Sequence, residues 1–311
     1  MVLERRILII GGTGFFGKSI LSYINKNFKS SKIIILSRNV KALDEKHFPN
    51  INISKINTDI CELKKIPDVD QIIYAATPTS KENYQKDGIN IIKNVNQGIK
   101  SFGDLVRKDN FKGKILYTSS GAIYGPHSKL EKIAEDANII DYAEFSFDKK
   151  IYAESKKYSE NVIQDLAKDG FKVSIARCFA FIGSYLDLNA HFIIGNILNS
   201  IKENKKFTLV STNRVYRSFM HTDDLSEWLL KILDISSNLC PIYNVGSDES
   251  YELRDLVRKF KKIYGLNYEI QNEILSDYTD WYVPSIEKIK SDLDCNIKIN
   301  LDEAVKSFLN I

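Results

Sequence analysis

One short stretch carries residues whose types and spacing could move a proton. In Ile151 to Glu160 (IYAESKKYSE), Tyr152 and Lys156 stand four residues apart, so one face of a helix would present both. A free phenol, with a pKa near ~10, is a poor acid or base at neutral pH. A fixed ammonium one turn away favours the phenolate and lowers that pKa. The pair would then donate and accept the proton of a hydroxyl-to-ketone interconversion. Of the sixteen tyrosines, only Tyr152 has a lysine four positions on. A solvated helix face in a chain with many Tyr and Lys is the plainer reading. A glycine loop near the N-terminus weighs against it.

Such a pair works only if other elements hold a substrate and a hydride carrier against it. Arg5 to Ile10 is a short apolar run, typical of a buried parallel strand. It ends in Gly11-Gly12-Thr13-Gly14-Phe15-Phe16-Gly17. A helical pattern with Ile20, Leu21 and Ile24 on one face follows, and Lys32 to Leu36 is a second buried strand. The glycine loop thus sits in a strand–loop–helix–strand unit, the context its motif requires. Gly11 would allow the tight turn, Gly14 the approach of a pyrophosphate, and Gly17 the packing of helix on sheet. The helix N-terminus would supply N–H donors to that anion.

Further strands are expected at Ile53 to Asn57, Gln71 to Tyr74, Lys114 to Thr118 and Val173 to Arg177. Helices are expected at Tyr84 to Val106 and at Tyr152 to Lys168. Six strands alternating with helices predict an α/β, doubly wound Rossmann-type parallel sheet. Beyond Cys178 the pattern is irregular. Helices are expected at Phe192 to Lys202, Thr222 to Leu233, Leu253 to Tyr264 and Leu301 to Leu309, and short strands near Phe207 to Val210 and Pro241 to Val245. Residues 1–178 would form the dinucleotide-binding domain and 179–311 mainly a smaller, mixed substrate lobe. A late segment near 207–245 would return to the main sheet.

Composition bounds the partners. The chain has 311 residues, 43% of them hydrophobic, enough for one large α/β domain or two smaller lobes. A net charge of +4 with no Lys/Arg run interleaved with aromatics does not suggest nucleic acid. Cys61, Cys178, Cys240 and Cys295 are scattered, and neither they nor the four His show metal-ligand spacing. A reduced, cytoplasmic setting is expected, with no signal peptide before the first strand and no membrane span.

Four ordered motifs, GGTGFFG, YTSSGAIYG, YAESK and RSFMHTDDL, resemble the extended short-chain dehydrogenase/reductases, the NAD-dependent epimerase/dehydratase family. The resemblance covers nearly the whole chain and closes with YNVGSDE and LDEAVKSFL. It implies that Tyr152 is the catalytic acid/base and Lys156 its partner, which also binds the nicotinamide ribose. It implies Ser120, three residues before Ile123, as the third catalytic residue, bonded to the sugar oxygen. It assigns Thr13, Gly14, Phe15 and Phe16 to the pyrophosphate, and Asp59 and Ile60 to the adenine. Ala75, Ala76 and Thr77 would line the nicotinamide-side ribose and Phe179 the nicotinamide. Arg217 would hold a substrate pyrophosphate through paired donors, or else pair with Asp223 or Asp224. Ala180 stands where the family often has a substrate-contacting Asn. His221 and Asp224 would fix the turn into the next helix. A homodimer is implied, with Tyr84–Val106 and Tyr152–Lys168 of each subunit in a four-helix bundle.

Two departures narrow the expected chemistry. Dehydrating relatives carry Asp-Glu after the catalytic hydroxyl, and decarboxylating ones a Glu. Here the positions are Gly121 and Ala122, which cannot transfer a proton. At the end of strand two, Ser37 and Arg38 replace the Asp that accepts from the ribose of NAD. Arg38 can pair with a 2′-phosphate, which favours NADP(H) over NAD(H); stacking on adenine or a solvent-facing Arg38 is the alternative. The leading expectation is NADPH-dependent reduction of a nucleotide-linked 4-keto (deoxy)hexose, yielding a sugar nucleotide for surface polysaccharide. The alternatives are a nucleotide-sugar 4-epimerase or 4-dehydrogenase with tightly held NAD, and a non-catalytic cofactor-sensing protein of the same fold.

Overall fold

The computed structural model of the chain describes residues 4–77, 81–188 and 192–311. Strands β1 (Arg6–Ile10), β2 (Lys32–Ser37), β3 (Asn52–Asn57), β4 (Gln71–Tyr74), β5 (Lys114–Ser120) and β6 (Lys172–Cys178) are joined by α1 (Phe15–Asn27) after β1, α2 (Lys81–Lys108) after β4 and α3 (Phe147–Lys168) after β5, with only short 3-10 turns between β2, β3 and β4. The chain continues through β7 (Phe181–Ile182), α4 (Ile193–Lys202), β8 (Phe207–Leu209), β9 (Arg214–Arg217), β10 (Met220–His221) and α5 (Thr222–Asp234). It ends with β11 (Ile242–Val245), β12 (Tyr251–Glu252), α6 (Leu253–Tyr264), β13 (Tyr268–Ile270), β14 (Thr279–Tyr282), α7 (Glu287–Leu293) and α8 (Leu301–Leu309).

The main sheet is parallel throughout and has seven strands, in the order β11-β6-β5-β4-β1-β2-β3. From β1 the chain steps outward to β2 and β3, then returns to the other side of β1 with β4. At that reversal two connections leave the sheet in opposite directions. A crevice opens there beyond the strand carboxyl ends. Successive side chains of a strand face opposite sides. Ile7 and Ile9 accordingly pack with Ile20 and Ile24 of α1 and Leu225 and Trp228 of α5. Leu8 and Ile10 pack with Phe102 of α2 and Ile163 of α3. Each fully buried side chain of this size stabilises the fold by roughly 1.5–3 kcal/mol. A separate core of Ile197, Leu198, Leu256, Val257, Phe260 and Val305 joins α4, α6 and α8. Asn300 and Glu303 close a capping box at the start of α8.

The structure departs from the expected elements in three places. Helix α3 begins at Phe147, so Tyr152 lies in its second turn. Phe147 is exposed and gave no buried-face signal, but Asp148 suits the positive end of a helix. Helix α2 is longer than the Tyr84–Val106 pattern and kinks at Asp87. In the second half, β7, β9, β10, β12 to β14 and α7 were not anticipated. The strands are two to four residues long, too short for alternation to register, and α7 has only seven residues.

Candidate active site

The glycine loop closes on the end of β4. Gly11 has φ of +86°, and a Cβ there would lie 2.8 Å from the backbone of Ala75 and Ala76. A Cβ on Gly17 would run into the backbone of Gly12, so α1 packs directly on the turn. Gly14 is the N-cap of α1 and offers no side-chain cap, and the first turn holds no acidic residue. The positive end of the helix dipole therefore faces the crevice without a local carboxylate. This closed glycine turn and uncapped helix fit the pyrophosphate of a dinucleotide. Thr13 Oγ1 lies 2.7 Å from Ser37 Oγ, tying the loop to the tip of β2. The rings of Phe15 and Phe16 pack against the core, Phe16 edge-on to Phe181 at 5.3 Å. What these two can offer an anion is backbone N–H.

At the tip of β2, Arg38 is exposed and its Nε stands 3.8 Å from Asp59 Oδ2. Asp59 also accepts from Cys61 N, and Ile60 beside it is buried. The expectation at Ser37 and Arg38 counted no carboxylate at the strand end. The neighbouring strand β3 supplies one, because parallel strands bring their carboxyl ends to one edge.

Ser120 is the last residue of β5. Its Oγ accepts from Ala122 N at 3.2 Å, and its hydroxyl acts on the Tyr152 phenol, favouring the ionised form. Ser119 faces away, buried, with no hydrogen-bond partner for its hydroxyl among the described residues. Strand alternation separates the two serines. Lys156 is 3% exposed. Its Nζ donates to Thr77 Oγ1 at 3.0 Å and to the Thr118 carbonyl at 2.8 Å, and lies 5.8 Å from the centroid of the Tyr152 ring.

This arrangement corrects one expectation. The ammonium was expected to lower the Tyr152 pKa. Burial instead pushes the phenol up to about 12, with the Ser120 hydroxyl opposing the rise. Burial also pulls Lys156 down to about 8. Both groups have lost water, and each shifts toward its neutral form. At neutral pH Tyr152 therefore holds its proton and can donate it.

Phe179 sits just past β6. A Cβ on Gly121 would be 2.7 Å from its ring, and one on Gly246 3.0 Å from its Cβ. Arg217 makes a two-point ion pair with Asp280, Nη2 to Oδ2 at 2.7 Å and Nη1 to Oδ1 at 3.1 Å. The expected carboxylates, Asp223 and Asp224, are engaged elsewhere. Asp223 bonds Lys26, and Asp224 accepts from the Lys298 and Ile299 N–H groups. His221 caps α5 by accepting from Asp223 N. Ser120, Tyr152, Lys156, Thr77 and Phe179 thus share the crevice with the glycine loop. The sequence reading missed Asp280 and Tyr282 of β14, since no motif marks that strand. Among the described residues no cluster of His, Cys, Asp and Glu could hold a metal, and no helix is long and apolar enough to cross a membrane.

The model of the family described as "NAD dependent epimerase/dehydratase family" matches residues 7–246. UDP-glucuronic acid decarboxylase 1 of Xenopus tropicalis is 24% identical over 315 residues, which span 99% of this chain and 72% of that protein. The dTDP-D-glucose 4,6-dehydratase of Dictyostelium discoideum is 29% identical over 280 residues, 83% of this chain and 62% of its own length. Among solved structures, the UDP-glucose 4-epimerase of Thermotoga maritima with UDP-glucose matches with a TM-score of 0.82 at 17% identity, over 98% of this chain and 97% of that one. The dTDP-glucose 4,6-dehydratase of Bacillus anthracis, in complex with NAD, matches with a TM-score of 0.79 at 19% identity, over 98% and 95%. At these identities the two structures share the fold.

Proposed function

The chain belongs to the NAD dependent epimerase/dehydratase family, and from that premise we propose that it reduces a nucleotide-linked 4-keto (deoxy)hexose with NADPH. The observation that carries this reading is Tyr152 set against Lys156, which is held by Thr77 and the Thr118 carbonyl beside Ser120, with no acid at positions 121 and 122. Tyr152 gives its proton to the carbonyl oxygen as the alcohol forms. Ser120 holds that oxygen by a hydrogen bond. Lys156, with Thr77, holds the ribose hydroxyls of the cofactor. When bound, the reduced nicotinamide supplies the hydride that goes to the carbonyl carbon. Gly121 and Ala122 leave no carboxylate to eliminate water, so the product stays a simple alcohol.

Arg38 and Ser37 favour the 2′-phosphate of NADPH through charge-assisted and neutral hydrogen bonds. Asp59, 3.8 Å from Arg38, opposes it. That carboxylate favours a second reading, a nucleotide-sugar 4-epimerase that retains NAD. Helices α2 and α3 lie side by side and leave Ile89, Phe147 and Tyr158 exposed. Those side chains suit a homodimer through the two helices.

The test is to purify the protein, identify the nicotinamide it releases on denaturation, and add a nucleotide-linked 4-keto-6-deoxyhexose with NADPH. The expected result is one NADPH oxidised per sugar alcohol formed. Tightly held NAD, with interconversion of UDP-hexose epimers and no net redox change, would establish the second reading instead. No turnover in either assay, with cofactor bound, would remove both.

A further inference from the structure

Strand β14 brings a second phenol to Ser120. Tyr282 stands opposite Arg217 in the parallel pairing of β14 with β9. Its ring centroid is 4.7 Å from that of Phe179, and the Arg217 guanidinium is 5.8 Å from the same ring. Its hydroxyl has one proton to give and two acceptors in reach, Ser120 Oγ and the Cys178 carbonyl, each at 3.5 Å. These distances are long for O–H···O, but hydrogen bonds of reacting groups often tighten only around a substrate.

The geometry limits what Ser120 can do. A serine hydroxyl has one proton to donate and two lone pairs to accept with. The Ala122 N–H takes one lone pair. With a donor on the second, the proton has only Tyr152 or the sugar oxygen left to bond.

We propose that Tyr282 is a positioning residue: its hydroxyl donates to Ser120 Oγ and so turns the serine proton toward Tyr152 and the reacting oxygen. This rests on the roles proposed above for Ser120 and Tyr152. The rest of the Tyr282 ring is held by Phe179 on one side and by Arg217, itself fixed by Asp280, on another. The hydroxyl is therefore delivered by a packed ring on a paired strand.

Tyr282→Phe removes the hydroxyl and keeps the ring contacts. Tyrosines are labelled with carbon-13 at Cζ, and the Tyr152 signal is assigned by its loss in Tyr152→Phe. Tyr282→Phe is expected to move the Tyr152 signal by more than its linewidth. The same change made in a Ser120→Ala background is expected to leave it in place. This arm needs neither substrate nor cofactor, so it stands even if the proposed reaction is wrong. In turnover, Tyr282→Phe is expected to lower kcat about two- to tenfold, the worth of one neutral hydrogen bond, with KM nearly unchanged. Tyr282→Leu, which also loses the ring, is expected to lower kcat at least as far and to raise KM. An unmoved Tyr152 signal in Tyr282→Phe, or an equal shift with and without Ser120, would overturn the proposal.

Discussion

Replacing Lys156 by Met tests the electrostatics of the site without any ligand. Lys156 is buried, and its pKa falls from 10.5 to about 8. One pKa unit corresponds to about 1.4 kcal/mol, so carrying the charge costs the fold about 3 kcal/mol below pH 8. The unfolded chain binds the proton more tightly than the native one. Stability conferred by this group must then rise with pH between the two pKa values. From about pH 7 to about pH 9.5 the wild type should gain about 2 kcal/mol relative to Lys156→Met. The variant also loses the bonds to Thr77 and the Thr118 carbonyl, but that loss is the same at both pH values and cancels in the difference. Stopping below pH 10 keeps Tyr152 protonated in both proteins. Urea unfolding at the two pH values, wild type against variant, gives the quantity directly. A gap that does not change with pH would refute the claim that burial depresses Lys156. A wild type that loses ground as pH rises would mean that the pKa is raised instead.

Tyr152→Phe should lower kcat by about 10²–10⁴-fold while calorimetry shows cofactor affinity nearly unchanged; wild-type turnover would remove Tyr152 as the acid. Arg38→Ala should weaken NADPH binding about tenfold and leave NADH nearly untouched, the low end for a charge-assisted bond because Arg38 is exposed and Asp59 already competes for it. Asp59→Asn should strengthen NADPH binding, and equal losses for both cofactors in Arg38→Ala would sink the NADP preference. Phe147→Glu places a charge on the exposed apolar face of α3 and should shift sedimentation from dimer toward monomer at micromolar concentration; a wild-type monomer would remove the proposed interface.

What was legible in the sequence was local. Strands β1, β2 and β4 to β6 show as largely apolar runs because both faces of the sheet are covered there, whereas β3, at the sheet edge, reads NISKIN and is only partly buried. Tyr152 and Lys156 meet because four residues make about one turn. Ser120 and the glycine loop sit where strands end, a boundary that sequence marks well. The pairs the reading missed are distant in the chain. Asp280 reaches Arg217 across 63 residues, and Tyr282 reaches Ser120 across 162. Only the pairing of short strands such as β14 with β9 brings them together. The pKa of Tyr152 was misjudged for a related reason. Spacing shows a nearby ammonium but not the loss of water around the phenol, and here burial is the larger effect.

The residues after Ser120 bear on the proposed reaction. The absence of an acid at position 121 is not a surface change that one substitution would reverse. Phe179 fills the space in front of Gly121, where a Cβ would meet its ring at 2.7 Å. Phe179 cannot easily withdraw, because the centroid of the Tyr282 ring lies 4.7 Å from its own. Close-packed aromatic clusters resist such shifts at a cost of about 1–3 kcal/mol. An aspartate at position 121 would therefore have to move the ring expected to back the nicotinamide. The glycine at position 121 and the placement of Phe179 belong to one packing arrangement, which suits the proposed addition of a hydride and a proton to a carbonyl.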